Sequence, residues 1–181
     1  MEISHKYARI ERERRFLVAQ LPCPKTAHPT RRIIDRYIEQ TRLRLRRQVD
    51  SAGATTFKLT QKIPAQASGA QQGLITTMYL DAGEYRIFAR LPAKEIRKTR
   101  YSVPPFGIDV FEGPIAGLIL AEAEFESPAE AESLVIPPFI VCEVSDDIRF
   151  TGGRLVHASP QDIRNWLADY NLELSQSFHV G

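Results

Sequence analysis

Along most of the chain, apolar and polar residues alternate in short stretches separated by Pro, Gly, Ser and Asn, the period-two pattern of antiparallel strands rather than of βαβ units. Strands are predicted at Ala8–Val18, Ile33–Glu39, Arg42–Gln48, Thr56–Ile63, Gly73–Leu80, Glu95–Val103, Phe106–Phe111, Leu118–Glu126 and Val141–Val144. Helical signals are fewer. Ser127-Pro128-Ala129-Glu130 reads as an N-cap, a proline in the first turn and a glutamate completing a capping box, and Ser159-Pro160 repeats the N-cap and proline logic before an amphipathic stretch ending near Tyr170. A further helix is predicted from Asp81 to Leu91, with Tyr85, Phe88 and Leu91 on one face. Residues 64–73, small and polar, read as a mobile loop, and the residues after Leu174 are expected to fray.

Residues i, i+2 and i+4 of a strand share a face, so each strand carries two stripes, and one of them is repeatedly charged. The first strand has Glu11, Glu13 and Arg15; the third Arg42, Arg44 and Arg46; the fourth Lys58, Thr60 and Lys62. The sixth has Lys98, Arg100 and Ser102, the seventh Asp109, the eighth Glu122, Glu124 and Glu126. The opposite stripes are apolar, as in Leu43/Leu45, Phe57/Leu59/Ile63 and Ile119/Ala121/Ala123/Phe125. The simplest account is a sandwich with charges outward. Whole strands of one sign, however, gain nothing on a solvated surface, and a closed barrel with a polar interior and helices on its apolar exterior explains the same pattern.

Composition adds little to this. The chain has 181 residues and a formal net charge of +2, too small for a non-specific nucleic-acid or membrane binder. No apolar run spans a bilayer and no signal peptide is seen, and Cys23 and Cys142 form neither a disulfide framework nor a zinc cluster, so a cytoplasmic protein with free thiols is expected. A barrel lumen with cationic and acidic walls would suit a small multivalent anion, gripped by Arg and Lys, with divalent cations between it and the carboxylates. The four histidines lie outside the charged stripes, so hard oxygen donors would select Mg²⁺ or Mn²⁺ over zinc.

These stripes resemble the motifs of the CYTH superfamily, the triphosphate tunnel metalloenzymes. The family's ExExK strand has its counterpart in Glu11-Arg12-Glu13-Arg14-Arg15. In family order follow Leu43-Arg44-Leu45-Arg46-Arg47, Leu59-Thr60-Gln61-Lys62, Ile96-Arg97-Lys98-Thr99-Arg100-Tyr101, Asp109-Val110-Phe111, the segment Gly117 to Glu124, and Glu143-Val144-Ser145-Asp146-Asp147. The resemblance implies a mainly β (α+β) fold: an eight-stranded antiparallel β-barrel tunnel with a few helices packed outside, in a single domain over 1–181 with its core at about 8–156 and a C-terminal helix at about 159–170. It implies hydrolysis of a phosphoanhydride bond of a linear triphosphate, above all inorganic tripolyphosphate, with Mg²⁺ or Mn²⁺ as cofactor. Glu11, Glu13, Glu122 and Glu124 would hold metal and serve catalysis, with Asp109 and Glu143 as further metal candidates. Arg15, Arg44, Arg46, Lys62, Lys98 and Arg100 would grip phosphate, with Lys58 beside them.

Two departures stand out. Arg15 takes the place of the motif's lysine and, unlike lysine, does not readily give up a proton. Where many relatives have an acidic EFE strand, this chain has Ile75-Thr76-Thr77-Met78-Tyr79. Alternative readings are an adenylate cyclase or another enzyme acting on a nucleotide or organic triphosphate, and a non-catalytic polyphosphate-binding module. RNA binding through residues 42–47 is weak, because that run alternates with leucine rather than aromatics. No nucleic-acid or membrane partner is expected; the oligomeric state is left open, a homodimer being one option. The C-terminal helix would pack on the barrel or plug one mouth. Lys62→Ala and Arg100→Ala are expected mainly to weaken substrate binding, and relief of like-charge repulsion to raise thermal stability.

Overall fold

The computed structural model describes residues 6–22, 29–65 and 71–174. Nine strands form one antiparallel sheet: β1 (Arg9–Val18), β2 (Thr30–Ile38), β3 (Leu43–Asp50), β4 (Thr55–Pro64), β5 (Gln71–Leu80), β6 (Ala93–Val103), β7 (Phe106–Phe111), β8 (Ile119–Glu124) and β9 (Ile140–Glu143). The order β5-β4-β3-β2-β6-β7-β8-β1-β9 is closed by a β5–β1 pairing, giving an eight-stranded barrel with β9 as an additional strand on β1. β1 makes the closure. Its first residues pair with β5, a register shift between Glu11 and Arg12 releases it, and Glu13–Leu17 then pair with β8. Beyond the shift, the edge of β1 that had faced β5 accepts β9. A bulge of this kind lets one strand serve three neighbours.

Directly paired residues share a face, so the register separates inside from outside. Phe16, Tyr101, Ile108, Ala121 and Ala123 face outward under Leu134, Phe139 and Ile140. Ile38, Leu45 and Leu59 face outward under Tyr85 and Phe88 of helix α1 (Ala82–Phe88). The apolar stripes are therefore the covered exterior and the charged stripes the interior, which excludes the sandwich. Leu91, expected on the packed face of α1, lies beyond its end and is exposed, because the helix stops at Phe88.

One end of the barrel is filled. Leu17, Ile96, Phe111 and Leu120 point inward below the charged rows and join a core with Phe150, Leu155, Ile163 and Leu167. The latter residues come from a short 3-10 turn, helix α3 (Gly152–Leu155) and helix α4 (Pro160–Ala168). The C-terminal helix thus packs over a barrel end. Ser159 and Asp162 cap α4 reciprocally, Ser159 Oγ accepting from the Asp162 amide and Asp162 accepting from the Ser159 amide at 2.8 Å. The box expected at Ser127 is only half made: in helix α2 (Pro128–Glu132) Ser127 caps the Glu130 amide, but the Glu130 carboxylate turns back to the Glu126 amide. Ile163 is fully buried, so Ile163→Ala should cost about 2–5 kcal/mol through the cavity it leaves, read as a fall in the midpoint of thermal or urea unfolding.

β4 and β5 extend into the expected 64–73 loop as far as Pro64 and Gln71; residues 66–70, those after 174, Cys23, His5, His28 and His179 lie outside the described residues. Among the described residues no helix is long and apolar enough to cross a membrane.

Candidate active site

The inward stripes surround a cavity of about 1200 Å³. From β1 it is lined by Glu11, Glu13 and Arg15, from β3 by Arg44 and Arg46, and from β4 by Lys58 and Lys62. β6 contributes Lys98 and Arg100, β8 contributes Glu122 and Glu124. Eleven of the thirteen residues singled out in the sequence therefore share one chamber. Segment 151–154 lines it as well, so the C-terminal part of the chain forms wall as well as plug.

The remaining two are placed differently. Asp109 is inward on β7 but fully buried, its carboxylate enclosed by Arg100 (Nε to Oδ1 and Nη2 to Oδ2, both 2.6 Å) and by the Lys98 ammonium. It supports cations rather than facing the cavity. Glu143 pairs in register with outward-facing Phe16, and Arg14 grips it from the same outer face at 2.9 and 2.6 Å. Its lumen placement is thereby corrected: the register of the four-residue β9 turns it away from the chamber.

Arg15, Arg44, Arg46, Lys62, Lys98 and Arg100 each stand within 4 Å of a carboxylate. Glu13, 4% exposed, accepts from Arg15 Nη2, while Arg15 Nε stands 3.6 Å from Glu122. Arg100 also donates to Glu122, and Lys62 Nζ donates to Glu11 Oε1 at 2.6 Å. Gly107 makes room for Arg100: a Cβ there would stand 3.0 Å from Arg100 Cδ. Sequence reading passed over Asp35 on β2, which receives Arg46 Nε and Nη2 at 2.7 Å each and lies 3.6 Å from Arg44 Nε. Neighbouring Tyr37 also faces inward, its hydroxyl seated on Gly152, where a Cβ would lie 1.8 Å from the oxygen. A lone aspartate between Ile33 and Tyr37 makes no charged stripe; only pairing with Arg46 across β2 and β3 could have revealed it.

Burial pushes the Glu13 carboxyl up, and nearby Glu122 pushes it further against the pull of Arg15. Burial acts the same way on Glu122 and Asp35, but cations outweigh it: Lys98, Arg100 and Arg15 hold Glu122 well below the usual carboxylate range, and Arg46 and Arg44 do so for Asp35. Tyr37 is pushed up to about 12 by burial and by Asp35. Carboxylates with depressed folded-state pKa values stabilise the fold above their ordinary unfolded values and lose that contribution as pH falls through the folded ones. With Asp35 and Glu122 acting this way and Glu13 opposing, thermal stability should drop steeply below about pH 4, a fall that a melting series between pH 6 and pH 2 would register.

Several buried donors have no acceptor. Among the described residues, Arg15 Nε and Nη1 and Arg44 Nε find no hydrogen-bond partner although they are enclosed. Buried guanidinium donors without partners are costly, and anions with several oxygens, phosphates above all, satisfy them. The carboxylates, without His or Cys, are the donor set of a hard divalent cation that completes its shell with water and phosphate oxygens; Glu11, Glu13, Glu122 and Glu124 fit such an ion. Among the described residues, no three acidic, histidine or cysteine side chains stand together as a ready-made metal cage.

The chain is similar to known proteins. A curated relative, the inorganic triphosphatase of Nitrosomonas europaea, is 30% identical over 161 residues, covering 83% of this chain and 99% of its own. A crystal structure of an inorganic triphosphatase superposes with a TM-score of 0.53 at 25% identity, over 83% of this chain and 96% of the other. A further crystal structure, of a protein described as hypothetical, gives a TM-score of 0.53 at 27% identity over 83% and 99%. No family model matches the chain.

Proposed function

Because the chain belongs to the family of the Nitrosomonas europaea inorganic triphosphatase, we propose that it is a hydrolase of the CYTH superfamily that cleaves a phosphoanhydride bond of inorganic tripolyphosphate inside its barrel. The observation that carries this reading is the chamber itself, where buried guanidinium groups of Arg15 and Arg44 keep donors that have no acceptor among the described residues. Arg15, Arg44, Arg46, Lys62, Lys98 and Arg100 bind the phosphate oxygens and stabilise charge that builds on the bridging oxygen as the bond lengthens. Lys58, stacked 5.0 Å over the Tyr79 ring, lies beside them. Mg²⁺ or Mn²⁺, held by Glu11, Glu13, Glu122 and Glu124, would neutralise substrate charge and orient the terminal phosphate. A carboxylate of this set orients the attacking water and accepts its proton, and burial makes Glu13 more basic than Glu122, which cations hold low. The closed end excludes water from behind the substrate, so the polar part of the chamber is where the anion is held.

This activity fits a chain in the cytoplasm, where the Cys142 thiol stays reduced. The test is phosphate release from tripolyphosphate, pyrophosphate and ATP, each with Mg²⁺, with Mn²⁺ and after chelation. Tripolyphosphate turnover that disappears with EDTA and returns with metal supports the proposal; tight binding without turnover under every divalent ion removes it. A second reading rests on Tyr79, which lines the chamber and is 71% exposed, on a strand whose inward residues Ile75, Thr77 and Tyr79 bear no charge. An exposed ring beside a lysine can stack on the flat group of an organic triphosphate. ATP turnover that exceeds tripolyphosphate turnover, and falls in Tyr79→Ala, would favour it.

A further inference from the structure

We propose that Asp35 is a positioning residue for the β3 arginines: it fixes the Arg46 fork and the Arg44 guanidinium in the orientation from which they take phosphate oxygens. The proposal rests on the reading of the chamber as a triphosphate site. Asp35 is 2% exposed and carries the same sign of charge as the substrate, so it acts through its partners. Its two oxygens occupy Nε and Nη2 of Arg46 at 2.7 Å, a bidentate fork that sets the plane of the guanidinium and leaves the other edge toward the cavity. The same carboxylate lies 3.6 Å from Arg44 Nε, one of the donors without an acceptor.

The construction recurs on the neighbouring wall. Asp109 occupies Nε and Nη2 of Arg100 in the same way and also takes the Lys98 ammonium. Without such carboxylates, four cations in a low-dielectric chamber would repel one another and splay. Long arginine side chains would then have to be ordered when substrate binds, an entropic cost that a fork made during folding removes beforehand. Tyr37 completes the arrangement on β2: it stands close enough to Arg44 to favour its charge, and its hydroxyl rests on Gly152. A buried carboxylate also weakens the attraction of the chamber for a polyanion. Asp35 therefore acts in opposite directions on the two kinetic constants, assisting turnover through geometry while opposing affinity through charge.

The experiment measures tripolyphosphate hydrolysis for wild type, Asp35→Asn, Asp35→Glu, Arg46→Ala and Asp35→Asn/Arg46→Ala, together with the Nε–Hε NMR signal of Arg46. Asp35→Asn should lower kcat by about tenfold to a hundredfold, the effect of a misplaced binding group, with KM unchanged or lower. Asp35→Glu, which keeps the charge but shifts the fork, should fall between Asp35→Asn and wild type. In the Arg46→Ala background, Asp35→Asn should cost less than about threefold, because the group it positions is gone. The protected Arg46 signal should broaden or vanish in Asp35→Asn. The proposal is overturned by a kcat for Asp35→Asn near that of wild type, by a KM that rises as it does for Arg46→Ala, or by an unchanged Arg46 signal. If Asp35→Asn does not fold, a wild-type kcat in Asp35→Glu overturns it and a reduced kcat with retained KM upholds it. If wild type does not hydrolyse tripolyphosphate, the functional reading fails, and the Arg46 signal alone decides the positioning role.

Discussion

Exchanging Glu13 for glutamine is expected to lower tripolyphosphate turnover by about a thousandfold while leaving the barrel folded. Glu13 stands at the centre of the β1 stripe, in contact with Arg15 and close enough to Glu122 and Glu11 for both to push its carboxyl upward. Glutamine has the same shape and keeps an oxygen for Arg15, but it offers neither the charge that would hold a divalent cation nor the basicity that would take a proton from water. The fold should tolerate the change, because Arg15 retains Glu122 at 3.6 Å and repulsion among three carboxylates is relieved. Turnover and melting temperature, measured on the same preparation, separate the two effects. Turnover within tenfold of wild type would remove Glu13 from the chemistry, and a collapsed melting temperature would make it a structural residue.

What the sequence made legible follows from repetition. Charges recurring every second residue, as in Glu11/Glu13/Arg15 or Arg44/Arg46, place a whole stripe on one face, and the closed barrel sets those stripes inward. An element that contributes a single charge gives no such signal. Asp35 sits between Ile33 and Tyr37, and its function comes from the Arg46 opposite it, which only strand register supplies. Glu143 shows the converse: its neighbours in the chain place it in a motif, yet β9 is four residues long and its pairing with outward-facing Phe16 sends the carboxylate to Arg14. Asp109 has the expected parity, but inward direction does not imply access, and Lys98 and Arg100 close over it. The apolar plug was legible only in part. Ile163 and Leu167 announce a buried face, whereas their partners Leu17, Ile96, Phe111 and Leu120 read as ordinary strand residues until the inward direction of those strands is known.

Register also reverses the sign of one stability expectation, and with it the behaviour of Arg100→Ala. From the sequence, Arg100 is one cation in a crowded basic stripe whose removal relieves repulsion. In the barrel it bridges two carboxylates, donating to both oxygens of Asp109 and to Glu122, in the space that Gly107 leaves open. Burial disfavours its charge, but Asp109 and Glu122 more than offset that and hold it firmly protonated. Alanine at this position leaves Asp109, fully buried, with Lys98 alone, and returns Glu122 toward the fate of Glu13, a carboxylate raised by burial. Removing one member of a buried ion pair costs about 3 kcal/mol, so the melting temperature of Arg100→Ala should fall. The chamber also loses a fork for phosphate and becomes more negative, and the KM for tripolyphosphate should rise by about a hundredfold. Lys62→Ala makes the contrast: the Lys62 side chain is 38% exposed and, among the described residues, pairs with Glu11, so the change should weaken binding with little effect on stability. A melting temperature that rises in Arg100→Ala would mean that the cations repel more than the buried aspartate and glutamate hold them, and the ion-pair account of this chamber would have to be given up.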